Sequence, residues 1–295
     1  MDRVKIGIPK ALTYYYYDRF WKYFFDNLNV EIIISPNTNM DIINKGNLLA
    51  NDEMCLSLKT YLGHVDYLKD KCDYILIPRI DNYGIDNQTC TNFLGLYDLI
   101  NNIFDVNIID YNITDGNELK GLESLCKKLN INTDTLNVIY DIAKRKSYNE
   151  FKKLQDEQYK KLKSKNKKVL LISHPYNTYD DMIGKPIINM LKKYNIDIIY
   201  SDLFDEKLSN KNGYNLSNGL YWKYSKEAIG SIILSDSVDG IIFFSSFPCG
   251  LDSLVNELMM RKIDKPYLNI IVDDISSLTG METRIESFVD IINEN

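Results

Sequence analysis

The chain has 295 residues, of which 45% are hydrophobic and 26% charged, with a formal net charge of −6. That length suits two α/β halves of roughly 150 residues each, and no Lys/Arg stripe interleaved with aromatics is present to grip a phosphate backbone, which argues against a nucleic-acid partner. No apolar run approaches membrane-spanning length and MDRVKIGIPK lacks the apolar region of a signal peptide, so no membrane partner and a cytoplasmic location are expected.

Strand-like and helix-like runs alternate. RVKIGIP (3–9) reads as a strand, followed by an aromatic-rich helix from Thr13 to Leu28. VEIIIS (30–35) is a second strand, ended by Pro36-Asn37; a short helix covers about 39–46 and a longer one runs from near Cys55 to Lys71. DYILIP (73–78) is the third strand, a loop through Cys90 leads to a helix at 92–103, and VNIID (106–110) closes the first half. Residues 134–167, rich in Lys, Glu and Gln, read as an exposed helix ending in a basic linker. The pattern then restarts with strands at 168–173, 196–201, 240–246 and 266–272, and helices at 182–194, 220–236, 251–262 and 281–293. A polar stretch at 205–219 carries no assigned element. Repeated βα units imply parallel sheets with right-handed crossovers. The organisation expected is therefore an N-terminal α/β half (1–133), a helical linker (134–167) and a C-terminal α/β half (168–295).

Five cysteines, at 55, 72, 90, 126 and 249, form an odd, widely spaced set. Reduced thiols are expected, because a disulfide framework belongs to short secreted chains. Cys55, Cys90 and Cys249 each lie before, or in the first turn of, a helix: NDEMCLSLK, NQTCTNFLG and FPCGLDS. Asp52 and Thr89 are candidate caps for the first two of these helices. A helix N-terminus presents unpaired N–H groups and a positive dipole end, which favour a thiolate or an anionic cluster. Cys72 falls at a helix-to-strand junction on the opposite sheet edge, and Cys126 lies in the amphipathic helix GLESLCKKL as a small buried thiol. The three helix-start thiols are either unrelated buried groups or metal ligands. If ligands, three thiolates without a histidine suit an iron–sulfur cubane better than structural zinc, which takes four.

IGIPKALTYYYYDRFWKYFFDNL, NDEMCLSLKTYLGHV, YILIPRI, SHPYNTYDD, PCGLDS and TGMETRIESF, spread over nearly the whole chain, resemble the family of 2-hydroxyacyl-CoA dehydratase D-components and acyl-CoA dehydratase activase-related (DUF2229-like) proteins. The resemblance implies two Rossmann-like or flavodoxin-like open parallel-sheet halves with a cleft between them and a 4Fe-4S cluster held there. By motif position its three ligands fall on Cys55, Cys90 and Cys249. It also implies an ATP-dependent activase-type reductase that supplies a low-potential electron, a small-molecule substrate such as an acyl-CoA, and a second dehydratase-like subunit or a homodimer. The activity implied is a dehydratase-like lyase or an iron–sulfur reductase, and the rival is a non-catalytic module that docks with an activase or delivers electrons or clusters. The closing segment DDISSLTG departs from the family pattern, with Ile275 where a histidine is expected, and five cysteines support at most one cubane per chain.

Glu53, two residues before Cys55, is either a first-turn carboxylate beside the helix dipole or an acid/base near the cluster. Lys59 is either a charge-balancing or a solvated lysine. His64, nine residues from Cys55, lies about two and a half turns away on the same helix and reads as packed and hydrogen-bonded. His174, in His174-Pro175-Tyr176-Asn177, follows a strand at the edge where parallel sheets bind ligands. It is a candidate catalytic residue alongside Glu53. The aromatics from Tyr14 to Phe25 read as core or interface packing, and Arg284 with Glu286 as an ion pair. No glycine-rich phosphate loop occurs, so any ATP hydrolysis belongs to a partner.

Overall fold

The computed structural model describes residues 3–273 and 279–294; Ile275, singled out above, lies outside them. The chain divides into two compact units, Met1–Phe151 and Lys152–Asn295.

Unit 1 comprises β1 (Val4–Ile8), α1 (Tyr14–Phe25), β2 (Val30–Ile34), α2 (Met40–Leu49), α3 (Leu56–Leu68), β3 (Tyr74–Ile80), α4 (Thr91–Ile103), β4 (Ile108–Ile113) and α5 (Glu118–Lys128). A long helix, α6 (Leu136–Leu162), contains the boundary between the units. The four strands form one parallel sheet in the order β2-β1-β3-β4. Isoleucine-rich strands of this kind belong in a sheet covered on both faces, and Ile6, Ile75, Ile77 and Ile109 are buried. Each such side chain contributes about 1.5–3 kcal/mol on burial.

The aromatic stripe of α1 is core packing. Tyr17, Phe20, Trp21, Phe24 and Phe25 are buried, and the Trp21 ring meets Tyr111 of β4 edge-on at 4.8 Å. His64 is buried between Ser35 at Nδ1 (2.8 Å) and Thr38 at Nε2 (3.0 Å). It thereby ties α3 to the residues that follow β2. Cys72 packs over Gly7, where a Cβ would stand 2.6 Å from its Sγ, and donates to the Leu68 carbonyl at 3.3 Å.

Unit 2 comprises β5 (Lys168–Ile172), the short α7 (Pro175–Thr178), α8 (Lys185–Lys193), β6 (Asp197–Tyr200), a 3₁₀ turn (Ser201–Leu203), α9 (Glu206–Leu216), α10 (Lys223–Leu234), β7 (Gly240–Ser246), α11 (Gly250–Met260), β8 (Tyr267–Val272) and α12 (Thr279–Glu294). Its strands are again parallel, ordered β6-β5-β7-β8. Two α/β halves with open parallel sheets were expected, and two are found. Both central strands, β5 and β7, are buried along their whole length.

Three local expectations are corrected. The polar stretch at 205–219 contains α9, started by the Asp205 carboxylate accepting the Leu208 N–H at 2.9 Å. Asp52 and Thr89 cap nothing: the N-cap positions of α3 and α4 are Cys55 and Cys90 themselves. Thr89 Oγ1 donates to the Ile80 and Asp81 carbonyls at 2.6 and 3.1 Å. Arg284 donates to the Asn269 carbonyl, fastening α12 to β8 instead of pairing with Glu286.

Two helix pairs approach so closely that only glycine fits. A Cβ at Gly46 of α2 would overlap the Lys59 carbonyl of α3, and one at Gly63 would overlap the Ile42 carbonyl. Gly213 of α9 and Gly230 of α10 are held the same way against the Lys226 and Ser209 carbonyls. On the same helix pair, buried Lys223 donates to Glu206 at 2.7 Å and also pairs with Glu227. Burial disfavours its charge, but the two carboxylates outweigh that and raise its pKa. Burial pushes the Glu227 carboxyl up to about 7, with Lys223 pulling the other way.

Among the described residues no helix is long and apolar enough to cross a membrane. Gly63→Ala and Gly230→Ala are each expected to lower stability by about 1–3 kcal/mol through overpacking. Gly95→Ala in α4, where a Cβ meets nothing within 4 Å, should be neutral or stabilising by up to about 1 kcal/mol. Urea unfolding of the three variants checks both statements. Burial, with the Lys10 ammonium adding to it, pushes the His64 pKa down to about 3. Since an unfolded histidine titrates near 6.5, the neutral folded ring stabilises the protein fully above about pH 6.5. That contribution is lost as the pH falls from there towards 3. His64→Gln should therefore show a shallower fall in urea midpoint between pH 6.5 and 4 than the parent, measured by circular dichroism; equal slopes would refute this assignment.

Candidate functional site

In a parallel sheet, the helix after a strand starts at the strands' carboxyl edge, and the helix leading into a strand starts there too. Cys90 follows β3 as the N-cap of α4, and Cys55 is the N-cap of α3, which runs into β3. Both are half-buried and extended, with φ/ψ of −64/150° at Cys55 and −61/139° at Cys90. Cys249 follows β7 as the N-cap of α11, with φ/ψ of −91/97°. Its Sγ accepts the Asp252 N–H at 3.5 Å. All five cysteines are thiols. Cys72 and Cys126 lie away from these helix starts, and burial raises the pKa of both, to about 11 at Cys126.

The segment before Cys90 is tightly tied. The Asn82 side chain accepts the N–H of Gly84 at 2.9 Å and of Asp115 at 3.0 Å, and residue 82 bridges to Gln88. The Tyr17 and Tyr83 hydroxyls are hydrogen-bonded to each other. Glu53 is exposed in the turn before Cys55, and Lys59 is half-buried one turn after it.

Unit 2 gathers a polar group around Cys249. His174 is the N-cap of α7 and donates or accepts through Nε2 to Asp252 Oδ1 at 2.9 Å, both side chains being buried. The His174 ring stacks on Tyr176 at 4.9 Å and meets Tyr224 edge-on at 6.4 Å. Two features hold this loop. Asp180 accepts the N–H groups of Met182 and Ile183 at 2.8 and 3.0 Å, and Tyr179 donates to Asp202 at 2.9 Å. Beside the pair is a cavity of about 10 Å³ lined by Ser173, His174, Ser225, Phe244, Asp252 and Asn256. The Ser173 and Ser225 hydroxyls are buried there without a hydrogen-bond partner. Ile172, Ile229 and Val255 also line the cavity, so its walls are largely apolar, and its volume is at the lower limit for one water molecule.

The fold thus brings His174 and Cys249 to one place through Asp252, and it sets Cys55 and Cys90 on one edge of the other sheet. Glu53 stands in solvent. Within each unit, among the described residues, no three His, Cys, Asp or Glu side chains are grouped to hold a metal. Reading the sequence missed Asp252, Ser173 and Ser225. The signal available for Asp252 was its place three residues after Cys249, in the first turn of a helix, where a carboxylate meets the dipole. Neither serine had a signal, because their partners lie far off in the chain.

No curated protein matches the chain. Among solved structures it is similar to SBP FpvC in complex with a Ni²⁺ ion from P. aeruginosa, with 11% identity over 99% of this chain and 96% of that one and a TM-score of 0.30. It is also similar to the AdcAII protein of Streptococcus pneumoniae, with 9% identity over 98% and 99% of the two chains and a TM-score of 0.32. A family model described as "CoA enzyme activase uncharacterised domain" matches residues 5–204. That match spans well over half of the sequence, and the chain belongs to this CoA enzyme activase-related family (DUF2229).

Proposed function

We propose that Cys55, Cys90 and Cys249 together hold one 4Fe-4S cluster and that the protein passes low-potential electrons to a small molecule, working with an ATP-dependent activase. One observation carries this reading: three of the five thiols occupy the N-cap position of a helix at the carboxyl end of a parallel sheet. The donor chemistry fits a cubane, which takes soft thiolates and accepts N–H···S hydrogen bonds. Cys249 already accepts such a bond from Asp252. When bound, the cluster would supply one-electron chemistry and an iron without a cysteine. The family membership supports the activase partner, and a reducing cytoplasm suits an oxygen-sensitive thiolate site.

The protein's own residues have definite parts. Cys55, Cys90 and Cys249 stand at the positive end of a helix dipole, and Cys249 Sγ accepts the Asp252 N–H there, whereas the sulfurs of Cys55 and Cys90 make no cap hydrogen bond to their helices. Asp252 fixes the orientation of His174, and the pair holds a polar lining next to Cys249. Lys59 lies one turn from Cys55, close enough in sequence to offset anionic charge. Glu53, exposed in its turn, would act as an acid or base only towards a bound partner or substrate.

A second reading is an accessory module that docks with the activase or delivers electrons or clusters and has no substrate of its own.

Protein purified without oxygen, or reconstituted with iron and sulfide, should contain about four irons per chain and show a broad visible shoulder that dithionite bleaches. Cys55→Ser, Cys90→Ser and Cys249→Ser should each lose most of that iron, whereas Cys72→Ser and Cys126→Ser should keep it. An iron-free parent, or cysteine variants indistinguishable from it, would overturn the cluster reading. Perturbation of the reduced cluster's EPR spectrum by acyl-CoA would favour the enzyme over the accessory module, and an unchanged spectrum the reverse.

A further inference from the structure

A line of oxidisable rings crosses unit 1. It begins in the loop between β3 and α4, where the Tyr83 hydroxyl is hydrogen-bonded to that of Tyr17 on α1. One turn along α1 the Trp21 ring stands 6.0 Å from that of Tyr17, and Tyr111 of β4 packs edge-on against both, at 4.8 Å from Trp21 and 5.9 Å from Tyr17. Phe20 fills the next step, 5.2 Å from Trp21 and 5.9 Å from Tyr140 near the start of α6. There the line ends on a base. The Tyr140 hydroxyl donates to Glu118 Oε2 at 2.7 Å, an oxygen that Lys144 Nζ also holds at 2.5 Å.

Packing accounts for the burial of these rings, and the protons decide what else they can do. A tyrosine that loses an electron becomes a strong acid, so the hole settles where a base takes the hydroxyl proton. Tyr111 is fully buried, and its hydroxyl has no hydrogen-bond partner among the described residues. A hole gains nothing by resting there. Tyr17 and Tyr83 share a bond between two hydroxyls, which are weak bases. Trp21, 2% exposed, can carry a hole as an indole radical cation without shedding a proton, and pass it on. Tyr140 aims its proton at a carboxylate whose side chain is 12% exposed, so little water competes for it. The steps run downhill towards Tyr140.

The other end of the line lies in the loop that leads to Cys90. Cys55 and Cys90 are half-buried thiols on that edge of the sheet, and partly exposed thiols are the side chains oxidants attack first.

We infer that these rings form a hole relay, which draws oxidising equivalents away from the thiol-bearing edge of unit 1 and holds them on Tyr140. The oxidants it serves are hydroxyl or thiyl radicals formed beside Tyr83. Such a radical takes one electron from the Tyr83–Tyr17 pair and becomes an anion. Trp21 refills the pair, and Tyr140 refills Trp21. As Tyr140 gives up its electron, its O–H bond breaks and the proton passes to Glu118. Radical, tyrosine and carboxylate thus become anion, neutral tyrosyl radical and carboxylic acid, with atoms and charge conserved. A small reductant such as ascorbate then returns the electron while Glu118 returns the proton. The relay uses no cluster and stands apart from the reading above.

The test places a photo-oxidant at the Tyr83 end. The chain has two histidines, both buried, and Ile85, two residues from Tyr83, is 92% exposed. Ile85→His therefore gives one surface imidazole to which a ruthenium(II) bipyridine complex is fixed. A flash in the presence of a cobalt(III) quencher leaves ruthenium(III), which takes one electron from the protein. Freeze-trapped EPR should show a tyrosyl radical that is lost in Tyr140→Phe. Trp21→Phe should lose most of that signal because it interrupts the line. Glu118→Gln should lose most of it too, since an amide oxygen accepts the hydrogen bond but does not take the proton. A radical that survives Tyr140→Phe, or one of undiminished yield in Trp21→Phe or in Glu118→Gln, would overturn the inference. Should Trp21→Phe fail to fold, Glu118→Gln and Tyr140→Phe decide between them.

Discussion

A cysteine at a helix N-cap puts a sulfur among backbone N–H groups that have no partner inside the helix, at the positive end of the peptide dipoles. The function proposed for this protein depends on Cys55, Cys90 and Cys249 all standing at such helix starts, with the N–H···S bond itself formed at Cys249. Parallel sheets enforce it, because each crossover returns a helix start to the carboxyl edge of the strands. A thiol in the middle of a helix, such as Cys126, gains nothing comparable, and burial holds it protonated. Placement in the fold, more than sequence spacing, separates the three thiols from the other two.

The scaffold that carries these helix starts is tightly determined. The sheet centres, β1 with β3 and β5 with β7, are apolar on both faces. The helices α3 and α10 are drawn in by glycines at which no side chain fits. Fixing α3 fixes Cys55 at its start. His64, neutral and hydrogen-bonded on both ring nitrogens, serves this scaffold. The Lys223 cluster does a similar job between α9 and α10 with charges in place of an imidazole.

Most of the architecture was legible in the sequence because buried parallel strands are short runs of Ile, Val and Leu, and these stood out at all eight positions. The helix α9 was not, since EKLSNKNGYNL is polar and rich in weak helix formers. It holds through its Asp205 cap and the Gly213 contact with α10, which are tertiary facts. The caps at Asp52 and Thr89 were misread because short polar residues beside a helix start compete for the same role, and Thr89 is drawn off to the Ile80 carbonyl. At the site, the helix-start cysteines could be picked out from local pattern alone. The His174–Asp252 pair could not, because it joins residues 78 apart in the chain.

The central claim is that three thiols far apart in sequence serve one cluster. Crystals grown without oxygen, with diffraction recorded at the iron absorption edge, address it directly. The account predicts a single compact iron peak with the sulfurs of Cys55, Cys90 and Cys249 at bonding distance from it. Iron held by other side chains, or those three sulfurs standing far from a common centre in fully loaded protein, would contradict it.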